Sequence, residues 1–345
     1  MRALSISAHG GIDQLKYTLD APEPQLIAAD EVRVNIHAAA LNHLDLFVIA
    51  GVPGVTLSAG LPLGADGAGT VDAVGASVTS VRAGDRVLLN PGVSCRVCEF
   101  CREGEHPLCV KYAILGEHRA GTLAEQIVVP AVNVRPLPAG ISFEEGAAFP
   151  LATLTAWRML MTRAQLQPGE TVLIWGIGGG VALAALQIAK RLGARTFVTS
   201  GSDDKLARAK ALGADEGFNH HKQDVASEVR ALTGKRGVDV VVDNVGAKTW
   251  ERSLRALGKR GRVVTCGGTS GPIVESDVRR MFWNQLTLMG STMGNDREFD
   301  AMMAALGDGM RPVVDSVFAL ADGQSAFKRL ASGEQFGKIL VRVRA

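Results

Sequence analysis

Four cysteines carry the plainest chemistry in this chain. Cys95, Cys98, Cys101 and Cys109 form C-x2-C-x2-C-x7-C inside one loop, with Pro91-Gly92 ahead of it and Pro107 within it. Four thiolates at that spacing can close around a single tetrahedral ion, and zinc is the metal such a set favours. Four sulfurs leave no coordination position for substrate, so the ion would be structural, held in a lobe of about residues 91–115. An iron–sulfur cluster needs a similar count, but no other feature points to electron transfer by that route. Cys266 stands alone at a strand end and reads as packing rather than as a nucleophile.

A second stretch, Glu170 to Asp215, reads as a phosphate cradle. Thr171 to Trp175 is a β-branched apolar run without polar alternation, as in a strand buried on both faces. It breaks into Gly176-Ile177-Gly178-Gly179-Gly180, after which Val181, Ala184, Ala185, Ile188 and Leu192 recur at helical spacing and Gly193 supplies a stop. Arg195 to Thr199 is a second strand. Strand, glycine turn, helix and strand together mark a dinucleotide site, because a diphosphate can approach bare amides at the positive end of the helix. The glycines fit G-x-x-G-x-x-A (Gly176, Gly179, Ala182), with Gly180 and Val181 opening the helix. An Asp or Glu at the end of the second strand would take the ribose hydroxyls of NAD. Ser200-Gly201-Ser202 stands there instead, followed by Lys205 and Arg208, and hydroxyls with a cation suit a 2′-phosphate. NADP (NADPH) is therefore the expected cofactor, although Lys205 and Arg208 can also be read as an ordinary solvated helix face.

The elements that position these groups fall into two domains. Up to about Pro130 the signals are short strands and turns: EVRVNIHA alternates, GTVDAV and DRVLLN are strands, Pro53-Gly54 and Gly84-Asp85 are turns, and His43 to Ala50 is a helix. Helix is expected from Phe143 to Ala164 with a break at Pro150. Beyond Asp215 strands and helices alternate, which implies a doubly wound parallel sheet with ligands at the carboxyl ends of its strands. Asn244, Gly267 and Ser291 lie at three such ends, as contacts for the nicotinamide half or as plain turn residues. Residues 295–345 read as helix, strand, helix and strand. The 345 residues suffice for two full cores, and the net charge of +2 gives no reason to expect nucleic acid as a partner. No apolar run could span a bilayer, so no membrane partner and a cytoplasmic location are expected.

The chain resembles the medium-chain dehydrogenases/reductases, which include zinc alcohol dehydrogenases and quinone and enoyl reductases. The likeness lies in Ala40-Leu41-Asn42-His43-Leu44-Asp45, in Leu63 to Val71, in the cysteine lobe, in Gly116 to Glu125, in Thr155-Ala156-Trp157 and in the glycine turn. It implies a GroES-like β-rich catalytic domain of residues 1–151 and 294–345, and a Rossmann domain of residues 152–293. It also implies a homodimer or homotetramer assembled through the Rossmann sheets, and a small-molecule substrate.

The departures from the family pattern are equally informative. Where zinc alcohol dehydrogenases carry catalytic ligands, this chain has Asn42, Ala65-Asp66 and, approximately, Leu151. Ala and Leu have no lone pair to give, and Asp66 alone cannot hold a metal. The resemblance then implies a hybrid: a structural zinc lobe beside a metal-free active site. Asn42 matches a position near the nicotinamide, or caps the helix from His43. His43 matches a residue touching the cofactor diphosphate, or serves as a proton donor, or is a solvated helix-end residue. Asp45 reads as a structural acceptor within the same site, and Asp66 as a pocket acid or an ion-pair partner. Thr155 matches a threonine packed on the nicotinamide, or faces solvent. Phe47 stands where many quinone reductases have a Tyr, which removes one proton donor. Tyr112 and His118 are expected at the surface. The expected activity is NADPH-dependent hydride transfer to an activated C=C or quinone; the alternatives are a zinc-type alcohol/aldehyde dehydrogenase and a non-catalytic NADPH-binding redox sensor.

Overall fold

A computed structural model describes residues 1–51 and 60–344; the turn expected at Pro53-Gly54 lies outside the described residues. The chain divides into two compact units, Met1–Leu151 with Gly294–Ala345, and Ala152–Met293.

The first unit is built on the strand Glu31–Ala40. Its first seven residues alternate between half-buried and buried, and from Ala38 onward both faces are covered. One side of it pairs antiparallel with Asp66–Val74, and the start of its other side pairs antiparallel with Gln126–Pro130. On the other side its end pairs antiparallel with Lys338–Arg342, which continues in parallel to Val314–Ala319. The last segment of the chain thus completes the sheet of the first unit. Small residues permit this tight centre: a Cβ on Gly69 would lie 1.9 Å from the Asn35 carbonyl oxygen. Val32, Val34, Ile36, Leu63, Leu123, Val129, Phe327 and Val341 form the core beneath. Register does the rest. Ala40 is paired with Asp66 on one neighbour and with Leu340 on the other. Two residues further along, this register sets Lys338 opposite Asn42.

The second unit holds six parallel strands in the order Glu216–Asn219, Arg195–Ser200, Thr171–Ile174, Val238–Asp243, Leu257–Thr265, Thr287–Gly290. This is the doubly wound order, with the glycine turn leaving the third strand in that row. Its helix, Gly180–Leu192, buries Ala182, Leu183, Ala184, Ala185, Leu186, Ile188 and Ala189, and stops on Gly193 at φ 81°. The helix expected across 143–164 is broken further than Pro150 alone predicts. It forms Phe143–Ala148, then Pro150–Trp157, and then widens into a π-helical turn, Arg158–Arg163.

Candidate active site and metal site

The cysteine lobe gathers its four sulfurs without help from distant parts of the chain. Their Sγ atoms all lie within 4.8 Å of one another, and Cys95 and Cys101 are 4.0 Å apart. Zinc–sulfur bonds of about 2.3 Å in a tetrahedron need sulfurs roughly 3.8 Å apart, so the set fits the ion with little contraction. Backbone N–H groups prepare thiolates. Cys109 Sγ accepts from Cys95 and Lys111, and the Val97 and Cys98 N–H groups hold the Cys95 thiol down at about 6. Burial works the other way at Cys101, pushing its thiol up to about 11. The fifth thiol, Cys266, is pushed by burial up to about 12 and stays protonated.

In the second unit the glycine turn has the shape a diphosphate needs. Gly176 is held at φ 71°, a conformation other residues adopt only with strain. Gly179 is the helix N-cap, no side chain caps that end, and a Cβ there would meet nothing nearer than 3.7 Å. The first N–H groups of the helix, from Gly180 and Val181 onward, are therefore open to an anion. Beyond the ends of two other strands of this sheet, Asn244 Oδ1 and Ser291 Oγ are buried atoms without a hydrogen-bond partner among the described residues. Orphaned polar atoms at the carboxyl ends of a doubly wound sheet fit a dinucleotide. Gly267 is open: a Cβ there would meet only the Asn244 carbonyl oxygen, at 3.9 Å. Thr155 does not face solvent: it is buried, and its hydroxyl lies 3.9 Å from the Met293 sulfur.

The ribose end of that site is more occupied than the sequence suggests. Ser200 is buried and its hydroxyl accepts the Ser202 N–H at 3.1 Å; the Ser202 hydroxyl in turn caps the next helix through the Lys205 N–H. Sequence reasoning missed two imidazoles here. A Cβ on Gly201 would lie 2.5 Å from His221 Nε2 and 3.3 Å from His220 Nε2, and His220 Nδ1 is buried without a hydrogen-bond partner among the described residues. The available signal was positional, since His220 and His221 directly follow the strand Glu216–Asn219, which lies beside Arg195–Ser200. The nearby carboxylate of Asp203 is already engaged by Asn219 and Lys222.

The first unit brings Asn42, Asp45 and Asp66 together and adds a residue that in sequence reads as plain strand, Lys338. Asn42 is the N-cap of the helix His43–Ala50, but its amide is spent elsewhere: Nδ2 donates to Asp66 Oδ2 at 2.9 Å, and Oδ1 accepts from Lys338 Nζ at 2.5 Å. Asp66 Oδ2 also accepts from Lys338 Nζ at 3.0 Å, while Asp66 Oδ1 accepts the Leu151 N–H at 2.8 Å. Asp66 is thus an ion-pair partner rather than a free acid. Asp45 uses both oxygens on backbone, accepting from Asn42 N at 2.7 Å and Gly64 N at 3.2 Å. Burial pushes its carboxyl up to about 7 against the pull of those donors and of Lys338. His43 packs edge-on against Phe47, and desolvation holds its imidazole below the ordinary value, which favours the neutral ring. His118 is exposed, as the sequence suggests, whereas Tyr112 is half-buried beside Gly92. The donors around Asp66 do not fit a zinc ion. Among the described residues only the four cysteines form a set that could hold a metal, and here an ammonium already sits on the one carboxylate.

Fold, site and sequence comparison place the chain in one class: it belongs to the medium-chain dehydrogenase/reductase superfamily and is an oxidoreductase. Residues 28–139 match the alcohol dehydrogenase GroES-like domain, and residues 180–308 the zinc-binding dehydrogenase domain. The chain is 33% identical to a zinc-type alcohol dehydrogenase-like protein of Schizosaccharomyces pombe, covering 96% of each chain. It is also 33% identical to a quinone oxidoreductase of Pseudomonas aeruginosa, covering 99% of each. Among solved structures, an NAD-dependent alcohol dehydrogenase superposes with a TM-score of 0.95 at 44% identity over 100% of both chains.

Proposed function

We propose that this enzyme is an NADPH-dependent reductase of electron-poor C=C bonds or quinones, with one structural zinc in its cysteine lobe and no catalytic zinc. The observation that carries this reading is the Asn42–Asp66–Lys338 cluster, which fills with a fixed side-chain cation the place where the family resemblance sets metal ligands. A simple alcohol must lose a proton before hydride can leave, and a Lewis acid normally makes that possible near neutral pH. A conjugated carbonyl needs only hydride at carbon and stabilisation of the resulting anion, which hydrogen-bond donors supply.

The nicotinamide, when bound, supplies the hydride. The chain's own residues do the remainder. Gly176, Gly179, Gly180 and Val181 receive the diphosphate; Asn244, Gly267, Ser291 and Thr155 orient the nicotinamide half. Ser200, Ser202 and Lys205, joined by His220 and His221, receive the 2′-phosphate. No acidic side chain ends the strand Arg195–Ser200, and the nearby Asp203 carboxylate is paired with the Lys222 ammonium, which weakens its repulsion of that phosphate. Desolvation favours the neutral ring of His43, and the final proton is assigned to water. Cys95, Cys98, Cys101 and Cys109 hold the zinc.

A second reading, a zinc-type alcohol dehydrogenase, is favoured by the name of the relative that is 44% identical. Metal analysis and a paired assay separate the two. The reductase reading expects one zinc per chain and NADPH oxidation by enones or quinones. Rapid oxidation of a primary alcohol that survives chelation, with enones inert, would overturn it. A second copy of the chain is the expected partner. In the second unit the edge strand Thr287–Gly290 is paired on one side, and Val278, Phe282 and Trp283 stand exposed on the helix before it.

A further inference from the structure

We propose that Lys338 is a catalytic group: its ammonium donates a hydrogen bond to the carbonyl oxygen of a conjugated substrate and holds the charge that collects there. This rests on the reductase reading, and names the residue that performs its electrostatic step.

Three observations converge on Lys338. The first is its placement. Only 5% of the side chain is exposed, so the charge sits in a medium where a hydrogen bond to a developing oxyanion is far stronger than in water. The second is its hydrogen bonding. An ammonium has three N–H bonds. Among the described residues two find acceptors, Asn42 Oδ1 and Asp66 Oδ2, and the third does not. The third is rigidity. Asp66 is anchored through Oδ1 to the Leu151 N–H and through Oδ2 to the Asn42 amide, so it cannot swing round to take the remaining N–H. A pair that served stability alone gains nothing from leaving a buried donor unused.

Hydride with its electron pair forms a C–H bond at the β-carbon of the substrate. The C=C pair shifts toward the carbonyl carbon as the C=O π pair moves onto oxygen, giving an enolate. Lys338 donates its N–H bond to that oxyanion without giving up the proton. A proton from water then adds at the α-carbon and the carbonyl re-forms. The substrate is reduced by two electrons and the nicotinamide is oxidised by two. For a quinone the same contact holds the hydroquinone monoanion.

The double variant Lys338→Met with Asp66→Asn tests this without leaving an unpaired buried charge, and Lys338→Arg keeps the charge. Circular dichroism checks folding, and fluorescence titration checks the NADPH Kd. With 2-cyclohexenone the double variant should lose about 100- to 1000-fold in kcat, the range for removal of one oxyanion donor, while Kd moves less than about threefold. Lys338→Arg should recover part of the loss. A second readout needs no turnover: the 13C carbonyl resonance of labelled 2-cyclohexenone bound beside NADP⁺ should move downfield in the parent and not in the double variant. A folded double variant with kcat within about threefold of the parent overturns the proposal, as does a carbonyl resonance that is unshifted in the parent or shifted alike in both. If the parent shifts the resonance yet does not reduce any enone or quinone, the reductase reading falls while the contact stands.

Discussion

Lys338 and Asn42 face each other although 296 residues separate them, and the ammonium of one lies 2.5 Å from the amide oxygen of the other. Asp66, fully buried, accepts from both. Removing one partner from a buried pair leaves the other charge without compensation, at a cost of about 3–5 kcal/mol. Asp66→Asn should therefore destabilise the protein by about that much in urea unfolding, and adding Lys338→Met to it should recover most of the loss. Near-additive losses from the two changes would show that the residues do not act as a pair.

The cysteine lobe predicts one zinc per chain. Replacing Cys101 or Cys109 by Ser should release the ion and lower Tm, because the free energy of a structural site is part of the folding free energy. The same loss should follow prolonged treatment with a chelator. Elemental analysis giving two tightly held zinc ions in the parent would contradict the assignment.

Cofactor choice follows from the end of the strand Arg195–Ser200. A charge-assisted phosphate contact contributes about 1.5–3 kcal/mol, or roughly ten- to hundredfold in kcat/KM for NADPH over NADH. Ser200→Asp should reverse the preference by placing a carboxylate against the 2′-phosphate. Equal kcat/KM for both cofactors in the parent would refute the assignment, and with it the part given to His220 and His221.

Acid should loosen the second unit through Asp215. Burial raises its carboxyl, but the Thr196 N–H, the Lys190 ammonium and the Thr196 hydroxyl outweigh this and hold it below the usual carboxylate range. A depressed carboxyl stabilises the fold above its unfolded value and loses that contribution as pH falls through the folded value. Asp215→Asn should thus lower Tm at pH 7, and the gap to the parent should close in strong acid. A constant gap from neutral pH down into strong acid would show that the loss is one of packing.

The sequence by itself determined whatever depends on neighbours along the chain. The cysteine set spans fifteen residues, and the glycine turn sits between a strand and a helix whose periodicities need no partner to be recognised. The same is true of the alternating order of strands and helices behind the doubly wound sheet. The functional assignment of Ser200, by contrast, was legible only in part: its position at a strand end could be read, but not that its hydroxyl serves the Ser202 N–H. Two imidazoles beside Gly201 went unseen because they follow the end of the next strand of a parallel sheet. Lys338 is the extreme case. In sequence it opens an apolar strand and looks like a cation at a solvent-facing end; the antiparallel pairing of Leu340 with Ala40 turns it inward onto Asn42 and Asp66. Register across a sheet is fixed by the packing of whole faces, since a slip of one residue would exchange buried and exposed sides. No local pattern of residues encodes that choice, and so the cation at the centre of the site was decided by the tertiary structure alone.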